Sequence, residues 1–198
     1  MPQASAQYHH GDLRAACLRA ARELLEEDGD TGLSMRAVAR RAGVSATAPY
    51  RHFADRDALV SVVAAEGYRE LAGYLAAAHP SPETADDLAA VAVAYVRFAL
   101  EHPALFRAMF VEPCDPGNEE RVAATAAISE YVCGIVHGIF PGGDADALST
   151  AVWALVHGLA FLHLDGKLDA STPEVVAEQV RAAVHALFTA SQAMPQST

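Results

Sequence analysis

Leu13, Cys17, Ala20 and Leu24 follow one another at i, i+4, i+7 and i+11, a single buried stripe on a helix from Asp12 to about Asp28. Arg14, Arg19, Arg22 and Glu23 lie off that stripe, and Gly29 and Gly32 are expected to end the helix. Ser34 stands where a cap is needed for a short second helix, Met35 to about Ala42, with Val38, Ala39 and Ala42 facing inward. Gly43 can adopt the left-handed conformation that stops it, and Val44 can plug into the core at the turn. Ser45 then reads as the cap of a third short helix running through Tyr50 to His52. Asp55 caps a long fourth helix to about Ala78, with Leu59, Val62, Val63 and Tyr68 among its apolar positions. His79-Pro80-Ser81-Pro82 is a clear break.

Helical spacing resumes beyond the break. The pattern predicts helices from about Pro82 to Glu101, from Pro103 through Phe110, from about Asn118 to Ile139, from Asp144 to near Leu164, and from Thr172-Pro173 to about Ala190. Pro113 to Gly117 reads as a loop, and Pro141-Gly142-Gly143 as a helix terminator. Val, Ile and Thr never alternate strictly with polar residues, so strands have no support. The expectation is an all-α protein of about nine helices, with a small N-terminal domain over residues 8–62 and a larger helical domain over 63–192.

Charge changes the picture. Fourteen basic residues against twenty-five acidic ones give a net charge of −11, which taken whole argues against a nucleic-acid partner. The distribution argues otherwise: residues 1–57 hold eight Arg and eight acids, so the whole excess lies beyond residue 57. Between Ser34 and Arg56 stand Arg36, Arg40, Arg41, Arg51 and Arg56 with only Asp55 opposing them. A short cationic segment on an anionic body suits a protein that touches phosphates at one end only. The three cysteines, Cys17, Cys114 and Cys133, are odd in number and form no CxxC, so they read as reduced thiols in the cytoplasm. Residues 1–16 hold no apolar signal core. Ala147 to Leu164 carries no Asp, Glu, Lys or Arg and has the length of a short membrane span, but Ser149, Thr150, His157 and His163 favour a helix buried on two sides.

Ser34 to Phe53 is the most informative stretch. Ala39 supplies the small residue where two helices cross, Gly43 the turn four positions on, and Val44 the apolar residue that holds the angle. This is the arrangement of a helix-turn-helix, whose second helix presents its N-terminal side chains to the major groove and its free amides to phosphate. Here the sequence resembles the TetR family of bacterial regulators. The resemblance rests on the first helix ending in Gly29, on Arg36-Ala37-Val38-Ala39, on Ala42-Gly43-Val44-Ser45, and on Tyr50-Arg51-His52-Phe53 followed by Asp55-Arg56-Asp57-Ala58-Leu59. Trp153 to Leu159, with its His157-Gly158, and His102 to Phe106 also resemble the Trp-His-Gly subclass of that family's C-terminal domains. The resemblance implies that Ala46, Thr47 and Arg51 face or flank bases, while Ser34, Arg36, Ser45, Tyr50, His52 and Arg56 hold phosphates. Tyr8 and His9 are placed to reach the backbone as well. Other readings stand beside these: Ser34 and Ser45 serve as caps, Tyr50 and Phe53 as core, Arg40 and Arg41 as solvated charges, and His52 as a structural or exposed side chain. Pro49 removes an amide donor inside a very short helix.

The segment 144–164 is apolar on two faces, Trp153/His157/Ala160/Phe161/Leu164 and Leu148/Val152/Leu155/Leu159/Leu162. One face suits an internal pocket and the other a second copy of the same helix. The last helix carries Val176, Val180, Ala183 and Leu187 on a stripe, and the family resemblance implies a homodimer built from the last two helices, matched to a palindromic operator in double-stranded DNA. Tyr95, Phe98, Phe106, Met109, Phe110, Tyr131, Trp153, His157 and Phe161 are the candidate pocket for a small apolar or aromatic effector, with plain core packing as the alternative for each and a backbone hydrogen bond as the alternative for His157. His137, His157, His163 and His185 show no HExxH or paired-Cys spacing, and no GxSxG or phosphate loop occurs, so neither catalysis, a resident metal nor a cofactor is expected. The function expected is an effector-controlled DNA-binding regulator, most simply a repressor. The alternative is a helical small-molecule-binding or protein-interaction module whose helix-turn-helix no longer works.

Overall fold

The computed structural model describes residues 10–110, 117–140 and 144–193, and all regular structure among them is helical. The described residues form eight α-helices and one 3-10 turn: α1 (His10–Gly32), α2 (Met35–Arg41), the 3-10 turn Pro49–Arg51, α3 (Arg56–Ala78), α4 (Ala85–Glu101), α5 (Pro103–Phe110), α6 (Glu119–Ile139), α7 (Ala145–Leu164) and α8 (Pro173–Ala193). Tyr8, His9, Cys114, residues 113–116 of the expected loop and the Pro141-Gly142-Gly143 terminator lie outside the described residues. The chain divides into two compact units, Met1–Gly67 with Ala104–Val122, and Tyr68–Pro103 with Ala123–Thr198.

In the first unit α1 packs on α2 and on the 3-10 turn. The α1 stripe is buried as expected, with Leu13, Cys17, Ala20 and Leu24 all at 6% exposure or less. Gly29 does interrupt the helix, at φ +65°, but helical hydrogen bonding resumes beyond this kink and carries α1 to Gly32. Ser34 caps α2 by accepting the Ala37 N–H at 3.2 Å. Gly43 takes φ +69°, which lets the chain reverse so that the Val44 N–H reaches the Ala39 carbonyl at 3.0 Å. Val44 itself is only half-buried. In the same unit α5 approaches α3 at Gly67, where an added Cβ would lie 2.7 Å from the Met109 sulfur. The buried Arg121 donates to the Met109 carbonyl at 3.1 Å, satisfying one of the end carbonyls of α5.

In the second unit α4 packs against both α7 and α8, which also touch each other. A capping box starts α4: the Asp87 N–H donates to Thr84 Oγ1 at 3.1 Å, and the Thr84 N–H donates to Asp87 Oδ2 at 2.9 Å. Asp144 caps α7 through the Ala147 N–H and Thr172 caps α8 through the Val175 N–H. The expected buried stripes are rotated slightly. On α8 the fully buried positions are Val176, Val180, Val184 and Phe188, whereas Ala183 and Leu187 are half-buried. On α7 they centre on Val152, Val156, Leu159 and His163, between the two faces expected from the sequence. Spacing alone specifies a wide apolar arc on such a helix, and only the position of α4 decides which part of it is covered.

Replacing Thr84 by Ala should remove one half of the capping box and destabilise the protein by about 1 kcal/mol. Thermal unfolding should then show a midpoint roughly 2–4 °C lower, with Thr84→Ser close to the parent.

Candidate nucleic-acid interface and effector cavity

The segment after the Gly43 turn does not form the α-helix expected from Ser45 to His52. An α-helix capped by Ser45 would need the Pro49 N–H for its first i→i−4 bond, and proline has none. The Ala48 N–H takes the Ser45 carbonyl instead, at 2.9 Å, and the chain continues as the 3-10 turn Pro49–Arg51. The Ser45 hydroxyl caps no helix and lies 3.4 Å from the Thr47 hydroxyl. The free helix N-terminus expected as a phosphate site is therefore not formed in this three-residue turn.

Buried Val38, Ala39, Pro49 and Phe53 hold this segment against the unit's core, which settles Phe53 as a packing residue. Ser34, Arg36, Ser45, Ala46, Thr47, Tyr50, Arg51 and His52 are all exposed, Tyr50 by 53%. Arg36, Arg40 and Arg51 point outward with no ion pair among the described residues. Arg41 differs: it is bound to Glu23 and Glu27 of α1. Its hydrogen bonds hold the Glu27 carboxyl below the usual range, and the two carboxylates push the guanidinium up. Arg56 is also engaged, donating from Nε to the Leu33 carbonyl at 3.1 Å and pairing with Asp57. It ties the start of α3 to the residue just before the α2 cap.

The nine candidate pocket residues divide between the units. Phe106, Met109 and Phe110 belong to α5 in the first unit, where Phe106 and Met109 are fully buried and the Phe106 and Phe110 rings pack 4.7 Å apart. Tyr95, Phe98, Tyr131, Trp153, His157 and Phe161 belong to the second. Within that unit a cavity of about 30 Å³ is lined by Tyr95 and Trp153 together with Leu75, Leu88, Val91 and Val156 among other aliphatic residues. Tyr95 Oη lies 3.0 Å from His157 Nδ1, and the His157 ring packs edge-on against Phe161 at 4.9 Å. Phe98 packs instead against Tyr74 and His102. Among the candidate pocket residues, Trp153 Nε1 and Tyr131 Oη are buried without a hydrogen-bond partner. The aliphatic walls escaped notice in the sequence because Leu and Val lining a cavity are indistinguishable there from Leu and Val filling a core.

Two family models match this chain: "Bacterial regulatory proteins, tetR family" over residues 18–63 and "Tetracyclin repressor-like, C-terminal domain" over residues 88–187. The chain belongs to the TetR family. A solved structure of a protein of unknown function from Rhodococcus sp. RHA1 is 37% identical, with 94% of this chain and 98% of that one covered at a TM-score of 0.79. The HTH-type transcriptional regulator Rv1816 of Mycobacterium tuberculosis is 29% identical over 67% of this chain, and the match spans 58% of the relative's length. The TetR-family regulator PfmR from Thermus thermophilus shares the fold, with a TM-score of 0.64, 19% identity and coverage of 87% and 97%. The relatives named by function are transcription regulators and not enzymes.

In this TetR-family chain the Tyr95–His157 pair is electrically neutral. Burial pushes the Tyr95 hydroxyl up, partly countered by the nearby Trp153 N–H, which falls short of a full hydrogen bond. Burial pushes the His157 imidazole down. Both groups are uncharged near neutral pH, and the imidazole tautomer sets which of them donates across the 3.0 Å Tyr95 Oη–His157 Nδ1 contact.

Because His157 is harder to protonate when folded, the unfolded chain binds more protons in acid. Stability should then fall as pH drops through and below the ordinary histidine value of 6.5, with the buried His163 acting in the same direction. Asp87 and Asp169, both held low by hydrogen bonds, lose their contribution only at lower pH. Chemical denaturation between pH 7.5 and 5 (a range set about the ~6.5 reference) should show a shallower decline in His157→Gln than in the parent.

Proposed function

We propose that this TetR-family chain is a DNA-binding transcription regulator that acts in the cytoplasm as a homodimer and releases a palindromic operator when a small apolar effector binds. The observation that carries the reading is the surface formed by α2 and the turn after it. There Arg36, Arg40 and Arg51 are outward and unpaired beside exposed Ser45, Ala46 and Thr47. Phosphate contacts from such arginines fix register, and the small polar and apolar side chains between them suit base edges and thymine methyls. Residues 8–62 would then read DNA, and residues 63–192 would hold the effector and the second copy. Arg41 and Arg56, committed to intramolecular partners, would shape this surface more than they bind to it.

The dimer reading draws on uncovered apolar surface. Only 17% of the most apolar stretch of α6 and 28% of that of α7 is buried, though both helices are long and apolar enough to cross a membrane. Leu148 and Leu155 of α7 are half-buried and Leu162 is 40% exposed, one line down the helix at seven-residue spacing. A second copy covering these faces fits a DNA-binding regulator better than lipid does.

The effector reading draws on the cavity. About 30 Å³ admits a water or two, so an effector must widen it. Its walls select an apolar body, and the unpartnered Trp153 N–H selects one acceptor atom on it. The effector must favour one dimer geometry over the other, since equal affinity for both would shift nothing. The two reading segments must lie about one DNA turn apart, ~34 Å, or a multiple of it, to use both half-sites.

The three-residue 3-10 turn favours a second reading, a small-molecule-binding module whose helix-turn-helix no longer works. Selection from random oligonucleotides separates the two: the regulator should enrich a two-fold symmetric site, and enrichment of no sequence would refute it. Arg36→Ala and Arg51→Ala should each weaken binding to the selected site and lower the slope of log affinity against log salt by about 1, with helicity unchanged. Trp153→Phe should leave operator affinity intact while weakening release by any effector found.

A further inference from the structure

We propose that Cys133, His137 and Asp146 form a binding site for a borderline-soft divalent cation of the zinc class, joining the last turns of α6 to the first turn of α7. Cys133 and His137 stand at i and i+4, so they share one face of α6. Asp146 comes from a different helix and meets them there. Asp146 Oδ1 lies 3.7 Å from Cys133 Sγ and 3.6 Å from His137 Nε2, and Nε2 is the nitrogen open to an ion because Nδ1 sits 2.9 Å from the Cys133 carbonyl and 3.3 Å from Sγ. One donor atom from each residue falls within 4.8 Å of the other two.

The two edges that meet at Asp146 Oδ1, 3.7 and 3.6 Å, are those a tetrahedral ion needs. Bonds of about 2.3 Å to sulfur and 2.0–2.2 Å to nitrogen and oxygen set donor–donor edges of roughly 3.3–3.7 Å. The donor set is one thiolate, one imidazole and one carboxylate, which suits zinc or cobalt(II) and not calcium or magnesium. Asp144 and not Asp146 caps α7, so the Asp146 carboxylate is free of backbone duty. The site is open to solvent: Cys133 is half-buried, and the side chains of His137 and Asp146 are 52% and 86% exposed. Three protein donors and an accessible fourth position, filled by water, make an exchangeable site and not a closed structural one. Binding releases the thiol proton to solvent, so affinity rises with pH. The cluster is remote in sequence from any paired-Cys or HExxH pattern because its third member is brought in by the α6–α7 connection.

Cobalt(II) titration of the reduced, chelator-treated full chain tests the site. One equivalent per chain should bind, with the near-ultraviolet band of thiolate-to-cobalt charge transfer and the visible bands of a four-coordinate ion. Cys133→Ser should abolish the charge-transfer band, while Cys17→Ser and Cys114→Ser keep it. His137→Ala and Asp146→Asn should each weaken zinc(II), measured by competition with a chromophoric chelator, by at least about 10-fold. Asp146 is largely exposed, so its variant should fold as the parent does, and circular dichroism of each variant checks this. Sub-stoichiometric binding, a band that survives Cys133→Ser, or zinc affinity unchanged in both His137→Ala and Asp146→Asn would overturn the proposal.

Discussion

Helix α4 buries ten of its seventeen residues, from Leu88 through Ala99, and the second unit is organised by that demand. A helix apolar on nearly every side must be covered on nearly every side, and α7 and α8 supply the cover. Each large side chain so enclosed contributes about 1.5–3 kcal/mol, so the positions of α7 and α8 are set by what α4 requires of them. That placement brings Tyr95 to His157, leaves the aliphatic cavity beside Trp153, and turns part of the apolar arc of α7 outward. The cavity and the uncovered helix faces are two consequences of one packing solution.

The first unit is governed by a smaller constraint, the missing N–H of Pro49. The turn at Gly43 and the packing of Val38, Ala39 and Phe53 hold as the motif requires. The segment beyond is compressed into a 3-10 turn because its first α-helical hydrogen bond has no donor. Exposed side chains are therefore presented from a short, tightly wound segment. Tyr50 and Arg51 lie in that turn itself, and Ser45, Ala46 and Thr47 lie in the bend that precedes it.

Charge acts by location. The acidic excess beyond residue 57 does not disqualify a phosphate-binding surface at the other end of the sequence, because at physiological salt the field of exposed charges decays within about 8 Å. The arginines nevertheless differ in availability. Arg41 is held by two carboxylates of α1 and Arg56 by a carbonyl and Asp57, while Arg36, Arg40 and Arg51 are not so held.

The sequence by itself determined the element order and most boundaries. Caps, prolines and apolar spacing act within a turn or two of chain, and Ser34, Asp55, Asp144 and Thr172 each cap as expected. It also determined the helix-turn-helix core, because Ala39, Gly43 and Val44 work through neighbours four or five residues away. Only the tertiary structure decided which part of each wide apolar arc is buried, and hence that Val184 and Phe188, not Ala183 and Leu187, form the stripe on α8. It likewise separated Phe106, Met109 and Phe110 from the cavity residues, and brought Asp146 to Cys133 and His137. The physical reason is common to these cases. Local hydrogen bonds are fixed by residue identity along the chain, whereas side-chain partners across helices depend on how the helices are packed, and spacing within one helix carries no record of its neighbours.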